Sequence, residues 1–249
     1  MLRVGDYEIV SLLDADGSFA TFREAFGVDS DESWTLPFHG YLVRRPGFAA
    51  VVDTGIGPEP REFLPGAGAS LPDRLAEAGC SPESVELVLL THLHVDHVGW
   101  NGLFPEARIV ANARDFAYFE RERGDGPYFQ RHVAPFSLEL VDDEVEVAPG
   151  LTLVPAYGHT PGHMTVRVES SGERAELLGD VAVHELQLAD PGVEYEAEVD
   201  GPAAAALRRS LFPRLADDGV PVALGHLRPH GLGRIRRDGV GFAWIPLLV

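Results

Sequence analysis

The stretch Thr91-His92-Leu93-His94-Val95-Asp96-His97-Val98-Gly99-Trp100 places three histidines and an aspartate in an H-x-H-x-D-H pattern. Neutral imidazole and carboxylate suit zinc and similar divalent ions. In extended chain, His92 and His94 point to one side because side chains alternate with period two. If the chain then turns into a helix near Asp96, the next pair of ligands faces a second point nearby. One short segment can then serve two adjacent metals. Further along, Gly158-His159-Thr160-Pro161-Gly162-His163, Leu178-Gly179-Asp180 and Leu224-Gly225-His226 each place a further ligand type after an apolar run and next to glycine.

The elements that must carry these residues read mostly as strands. Val85 to Leu90 is a buried strand leading into the first histidine. Tyr7 to Leu13 is a first strand, and Gly17 to Pro37 reads as a long surface loop with Phe19, Phe22, Phe26 and Trp34 scattered through it. Gly40 to Arg45 and Phe48 to Asp53 form a hairpin around Pro46-Gly47. Asp53 closes its second strand, where it either bonds a metal-binding histidine from behind or caps the next turn. A helix runs from Ser70, as N-cap, to Gly79. Ala107 to Ala111 is a strand and Ala113 to Arg123 a helix. Leu138 to Val147, Leu151 to Tyr157, Met164 to Glu169 and Ala175 to Leu178 are strands. A helix from Pro202 to Ala216, started by Asp200, is interrupted at Pro213. Val220 to Leu224 is a strand, and Ile235 to Arg237 with Gly241 to Ile245 makes a closing hairpin. Runs of strands with helices interspersed predict two mixed sheets with helices outside.

The 249 residues, 45% of them hydrophobic, are expected to form one domain over residues 1–249. A formal charge of −19 argues against a nucleic-acid partner, which needs clustered basic residues. No apolar run reaches membrane-spanning length, and the N-terminus lacks the regions of a signal peptide, so the expected compartment is the cytoplasm. The single cysteine, Cys80, excludes an internal disulfide framework. The apolar tail from Trp244 to Val249 buries either internally or across a homodimer.

Taken together, H-x-H-x-D-H, G-H-T-P-G-H, G-D and G-H in this order resemble the metallo-β-lactamase-fold hydrolase superfamily, and the match runs from Asp53 towards the C-terminus. The resemblance implies an α+β fold, a four-layer αβ/βα sandwich with metals at one edge of two mixed sheets. It implies that His92, His94 and His159 bind one metal, that Asp96, His97 and His226 bind another, and that Asp180 bridges them. It makes His163 a supporting residue rather than a ligand, and favours Asp53 as the support of a ligand histidine. The implied cofactor is a pair of divalent ions, zinc by default, with iron or manganese as alternatives. The implied activity is hydrolysis by a bridging hydroxide, whose formation at neutral pH follows from the metal-induced fall in the pKa of water; Asp96 is a candidate to take the proton.

Within the superfamily, the chain is most similar to the N-acyl-homoserine lactonase and methyl parathion hydrolase-like group. The expected substrate is a lactone, carboxylic ester or thioester of a small, partly apolar molecule. Phosphotriester or phosphodiester hydrolysis is the alternative, and a mononuclear iron, sulfur-oxidising enzyme a further one. The chain departs from the lactonases at Val183, where they carry a tyrosine that assists the substrate carbonyl. His184 is the candidate catalytic substitute, or a packing histidine. His39 reads as a strand-end histidine or a pocket-lining one. His132 and His230 match no ligand slot and read as structural, with His230 close enough in sequence to His226 to form a pocket wall.

Overall fold

The computed structural model describes residues 1–58 and 70–248, with the backbone alone at Phe19. Among these, fourteen strands form two seven-stranded sheets. The first sheet contains β1 (Leu2–Val4), β2 (Tyr7–Thr21), β3 (Ser33–Arg45), β4 (Phe48–Val52), β5 (Leu87–Leu89), β6 (Arg108–Asn112) and β7 (Leu138–Val141), side by side in chain order. The second contains β8 (Val145–Ala148), β9 (Leu151–Pro155), β10 (Met164–Ser170), β11 (Glu173–Leu177), β12 (Pro221–Ala223), β13 (Leu232–Asp238) and β14 (Gly241–Pro246), also in chain order. The helices are α1 (Phe22–Phe26), α2 (Leu71–Glu77), α3 (Ala113–Arg123), α4 (Pro127–His132), α5 (Leu186–Ala189) and α6 (Gly201–Asp218). None is long and apolar enough to cross a membrane.

The layers follow from period-two alternation in strands buried on both faces. In β4, Ala50 and Val52 face the core between the sheets, while Ala49 and Val51 face outward. In β5, Leu87 and Leu89 point inward with Ala50, and Val88 points out. Opposite them, Leu153, Val166, Leu177 and Leu232 complete the inter-sheet core. The outer face of the first sheet is covered by Leu71 and Leu75 of α2, Phe119 of α3 and Phe129 of α4. That of the second is covered by Leu188 of α5 and by Leu211, Phe212 and Leu215 of α6. This is the four-layer αβ/βα sandwich expected from the resemblance.

Strand direction explains where the chemistry gathers. β4 and β5 are parallel, and so are β11 and β12. β9 and β11 both run antiparallel to β10, and therefore run the same way as each other. The exits of β4 and β5 thus share one edge of the first sheet, and those of β9, β11 and β12 one edge of the second. The two edges meet where the ligand atoms they carry come together, and each exit carries a residue of the H-x-H-x-D-H, G-H, G-D or G-H set, or Asp53.

Several sequence expectations are corrected. The segment from Gly17 to Pro37 is no surface loop: β2 and β3 stay paired out to Thr21 and Ser33, and α1 lies in their connection. Register shifts between Leu13 and Ala15 and between Ser18 and Ala20 break the alternation that would have marked the strand. The run from Leu138 to Val147 is two strands in different sheets, separated at Asp142 and Asp143. Pro213 does not interrupt α6, because Leu211, Phe212 and Leu215 on either side of it are buried in one cluster. Ser70 does not cap α2 with its side chain; its hydroxyl donates to the carbonyls of Leu13 and Asp14, and Asp14 Oδ1 accepts the Leu71 N–H at 2.8 Å. The chain makes turns at Asp96 rather than a helix. In the tail, Trp244 is buried and Leu248 fully exposed. Val249 and the side chain of Phe19 lie outside the described residues.

Candidate metal centre

The turn that carries the first four ligand types is clamped to the loop after β4. Thr54 N–H donates to the His97 carbonyl at 2.7 Å, and Gly99 N–H donates to the Gly55 carbonyl at 2.8 Å. Gly99 lies against the backbone of Ile56 and Gly57 so closely that any Cβ would collide with it. At the base of this clamp, Asp53 holds a left-handed conformation (φ 57°). Its Oδ1 accepts the Thr91 N–H at 2.8 Å, and its Oδ2 accepts the Thr91 hydroxyl at 2.8 Å. Gly179 is constrained in the same way, since a Cβ there would stand 2.8 Å from His163 Nε2 and 2.9 Å from Thr91.

Two groups of ligand atoms result, the atoms of each lying within 4.8 Å of one another: His92, His94, His159 and Asp180, and then Asp96, His97 and His226. In the first, His94 Nδ1 stands 3.0 Å from His92 Nε2 and 2.9 Å from His159 Nε2. Ligands of one tetrahedral zinc at the usual Zn–N length stand roughly 3.3 Å apart, close to this spacing. Asp180 faces both groups. Its Oδ2 is 3.3 Å from His159 Nε2 and 3.7 Å from His92 Nε2. Its Oδ1 is 3.3 Å from His226 Nε2 and 3.4 Å from His97 Nε2. Asp96 Oδ2 lies 3.4 Å from His226 Nε2 and 3.6 Å from His97 Nε2. His97 Nε2 and Asp180 Oδ1 are buried with no hydrogen-bond partner among the described residues. Buried polar atoms are costly without partners, and a divalent cation coordinated between the groups would satisfy them. Donor chemistry, spacing and burial all fit such ions.

Behind the groups, hydrogen bonds set the imidazole orientation. His97 Nδ1 donates to Asp53 Oδ2 at 2.8 Å, and His226 Nδ1 donates to the Pro37 carbonyl at 2.7 Å, which turns both Nε2 atoms towards Asp180. Burial pushes His92 and His159 well below the usual histidine range, so they stay neutral. Burial opposes charge on His97 too, but Asp180, Asp53 and Asp96 hold its pKa well above the ordinary value, and Asp180 likewise raises His226. Against its own burial, Asp180 is held well below the carboxylate range by His226 and His97. Protons thus balance the carboxylates where a cation would otherwise do so. His163 belongs to neither group, and its Nε2 accepts the Asp180 backbone N–H at 3.0 Å.

A cavity of about 160 Å³ opens onto the two groups. Leu36, Phe38, Val95 and Ala197 give it apolar walls, and Tyr195 adds a phenol. The Tyr195 ring is parallel to that of His159, 7° between planes at 6.2 Å. His184 is not part of the lining. It packs among Phe22, Phe26 and Trp34, and its Nδ1 accepts the Leu186 N–H at 3.1 Å. Val183 is buried, and His39, also buried, bonds Ser11 at 3.0 Å. His230 ties Leu247 and Leu232 to its ring, and the His132 carbonyl accepts from Asn101 Nδ2.

Sequence reasoning missed Tyr195 and two buried carboxylates. Asp14 accepts N–H groups from Ile56, Gly57, Ser70 and Leu71 and the Trp100 indole. Asp115 ties the two ligand loops together, accepting from Leu93 N–H, Thr160 Oγ1 and Gly162 N–H. Burial raises its pKa to about 6. Asp14 lies at a strand irregularity and Asp115 on an ordinary polar helix; only the companion ligand loops, seen in three dimensions, distinguish them.

A profile described as the Metallo-beta-lactamase superfamily matches residues 39–226. The N-acyl homoserine lactonase AiiB of Agrobacterium fabrum (strain C58 / ATCC 33970) is 31% identical over 170 residues, covering 57% of this chain and 62% of that protein. The N-acyl homoserine lactonase of Bacillus thuringiensis is 29% identical over 106 residues, 42% of this chain and 41% of that one. The chain thus spans about three fifths of the length of the first relative and about two fifths of the second. Among solved structures, the hydrolase AbOPH, described as in the beta lactamase superfamily, superposes with a TM-score of 0.85 at 24% identity, covering 100% of this chain and 97% of that one. AidC, described as a dizinc quorum-quenching lactonase in complex with a product, gives 0.85 at 20% identity over 100% and 97%. At these identities the structural likeness shows the fold.

Proposed function

The chain belongs to the metallo-beta-lactamase superfamily, and from that premise we propose that it is a dinuclear, zinc-dependent hydrolase of a lactone, carboxylic ester or thioester of a small, partly apolar molecule. The carrying observation is Asp180, one carboxylate whose two oxygens face two separate groups of ligand atoms. His92, His94 and His159 would hold one ion, and Asp96, His97 and His226 the other, with Asp180 shared. The bound ions supply an activated water and polarise the acyl oxygen.

The chain's own residues do the rest. Asp53 and the Pro37 carbonyl fix the tautomers of His97 and His226, so that each presents a lone pair at Nε2. Asp96, partly buried beside the cavity, takes a proton from the attacking water at the carboxylate oxygen that does not face His97 and His226, and returns it to the leaving oxygen. Leu36, Phe38 and Val95 exclude bulk water and seat an apolar substituent. The match to named lactonases supports a lactone as the first substrate to try.

The test is steady-state hydrolysis of a lactone, an aryl ester, a thioester and a phosphotriester by the zinc-loaded chain, repeated after chelation. Turnover of an acyl substrate that chelation removes and zinc restores is expected. Turnover of the phosphotriester alone would move the assignment to phosphoryl chemistry, and a metal-loaded chain inert to all four would overturn the hydrolase reading.

A further inference from the structure

We propose that the Tyr195 hydroxyl donates a hydrogen bond to the acyl oxygen of the substrate, from a segment of the chain unrelated to the ligand motifs. The inference rests on the hydrolase reading above and adds a residue that carries no metal. Of the polar side chains lining the cavity, Tyr195 is the one that belongs to neither ligand group. Its side chain lines the cavity beside Asp96, Asp180 and His159, while its backbone N–H is engaged with Glu198 Oε2 at 3.2 Å. A phenol is neutral at pH 7 and can donate.

The residues three and four positions after the bridging aspartate, Val183 and His184, cannot supply this donor. Val183 has no polar side chain, and its backbone N–H is spent on Gln187 Oε1 at 2.9 Å. His184 lies within the aromatic cluster and away from the cavity.

Tyr195 is also held in place, which a donor needs if it is to act without reorganising. Its ring is flanked by His159 on one side and meets Trp34 edge-on at 5.6 Å. The segment between α5 and α6 that carries it has little regular structure, yet Arg208, fully buried on α6, gathers it together. Arg208 donates to the carbonyls of Val181, Pro191 and Val193 at 3.3, 3.1 and 2.7 Å and to Glu198 Oε1 at 2.5 Å. Val199 N–H closes the segment onto the His159 carbonyl at 2.9 Å. The bonds that fix Tyr195 therefore run to the same backbone that carries His159 and follows Asp180.

In the reaction, the oxygen of water bonds to the acyl carbon, the bond from that carbon to the leaving oxygen breaks, and the leaving oxygen gains a proton. Negative charge builds on the acyl oxygen between the two events. Tyr195 stabilises that charge and keeps its proton throughout.

The experiment compares the zinc-loaded wild type with Tyr195→Phe on a lactone and on the matching thionolactone, whose acyl oxygen is replaced by sulfur, a weak acceptor. The phenylalanine ring preserves the packing on His159 and Trp34, so metal content and Tm are expected to stay at wild-type values. On the lactone, kcat is expected to fall roughly 10²-fold, with a smaller change in KM. On the thionolactone the two proteins are expected to turn over at nearly equal rates. Wild-type kcat in the variant on the lactone, or an equal loss on both substrates, would overturn the proposal. A wild type inert to every acyl substrate would instead overturn the hydrolase reading beneath it.

Discussion

The two walls of the cavity are built on different principles. The ligand wall comes from five strand exits, each with its functional residue within a few positions of the strand end, fixed by Asp53, Asp14, Asp115 and backbone clamps. The substrate wall comes from Leu36 and Phe38 on β3 and from Tyr195 and Ala197 between α5 and α6, backed by Phe26 on α1. It is held by side-chain packing and by one buried arginine. Chemistry is mounted on stiff, hydrogen-bonded backbone, whereas the side chains of the recognition wall are held by packing, although its backbone supports the centre through the Pro37 carbonyl and through Val199. On that division, truncating an apolar side chain of the recognition wall leaves metal binding intact.

The largest effect is expected for Asp180→Ala. It removes the shared carboxylate, and hydrolysis should fall by more than the roughly 10–100-fold that loss of an outer hydrogen-bond partner costs, with metal content reduced on elemental analysis. Next comes Asp53→Ala, which frees His97 from its fixed tautomer; competition with a chelator should show zinc affinity weakened roughly 10–100-fold. Phe26→Ala, behind the other wall, should lower stability by about 3 kcal/mol in denaturant titration while metal content stays at the wild-type value. Metal loss from this variant would break the comparison.

The smallest effect concerns Asp115. Its native pKa of about 6 exceeds the ordinary 3.8 because it is buried, so the native chain binds this proton more tightly than the unfolded one. That group therefore contributes stability as pH falls from about 6 towards 4, and costs stability above 6. With both proteins kept in chelator, the stability of wild type relative to Asp115→Asn should rise by on the order of 2 kcal/mol between pH 7 and pH 4. A difference independent of pH would contradict the assignment.

The same contrast explains what could be read from sequence. His92, His94, Asp96 and His97 share one turn, and His159, Asp180 and His226 each follow an apolar strand beside glycine, so short-range pattern located them. The sandwich was legible because strands such as Val85 to Leu90 announce burial on both faces. Tyr195 had no such signal: Gly192-Val193-Glu194-Tyr195 follows no period, and only Arg208, thirteen positions later, brings it to the cavity. The extension of β2 and β3 past Leu13 was hidden by its bulges, which disrupt alternation while preserving pairing. His184, beside Val183, was the candidate catalytic substitute or a packing histidine, and the chain turns it into the aromatic cluster.

The most direct test of the central claim is elemental analysis of the purified chain, titrated with zinc alongside its hydrolysis of a lactone. The account expects saturation at about two ions per chain, with catalysis rising to its maximum only as the second is bound. Saturation at one ion with full catalysis, or full catalysis in the chelated chain, would contradict it.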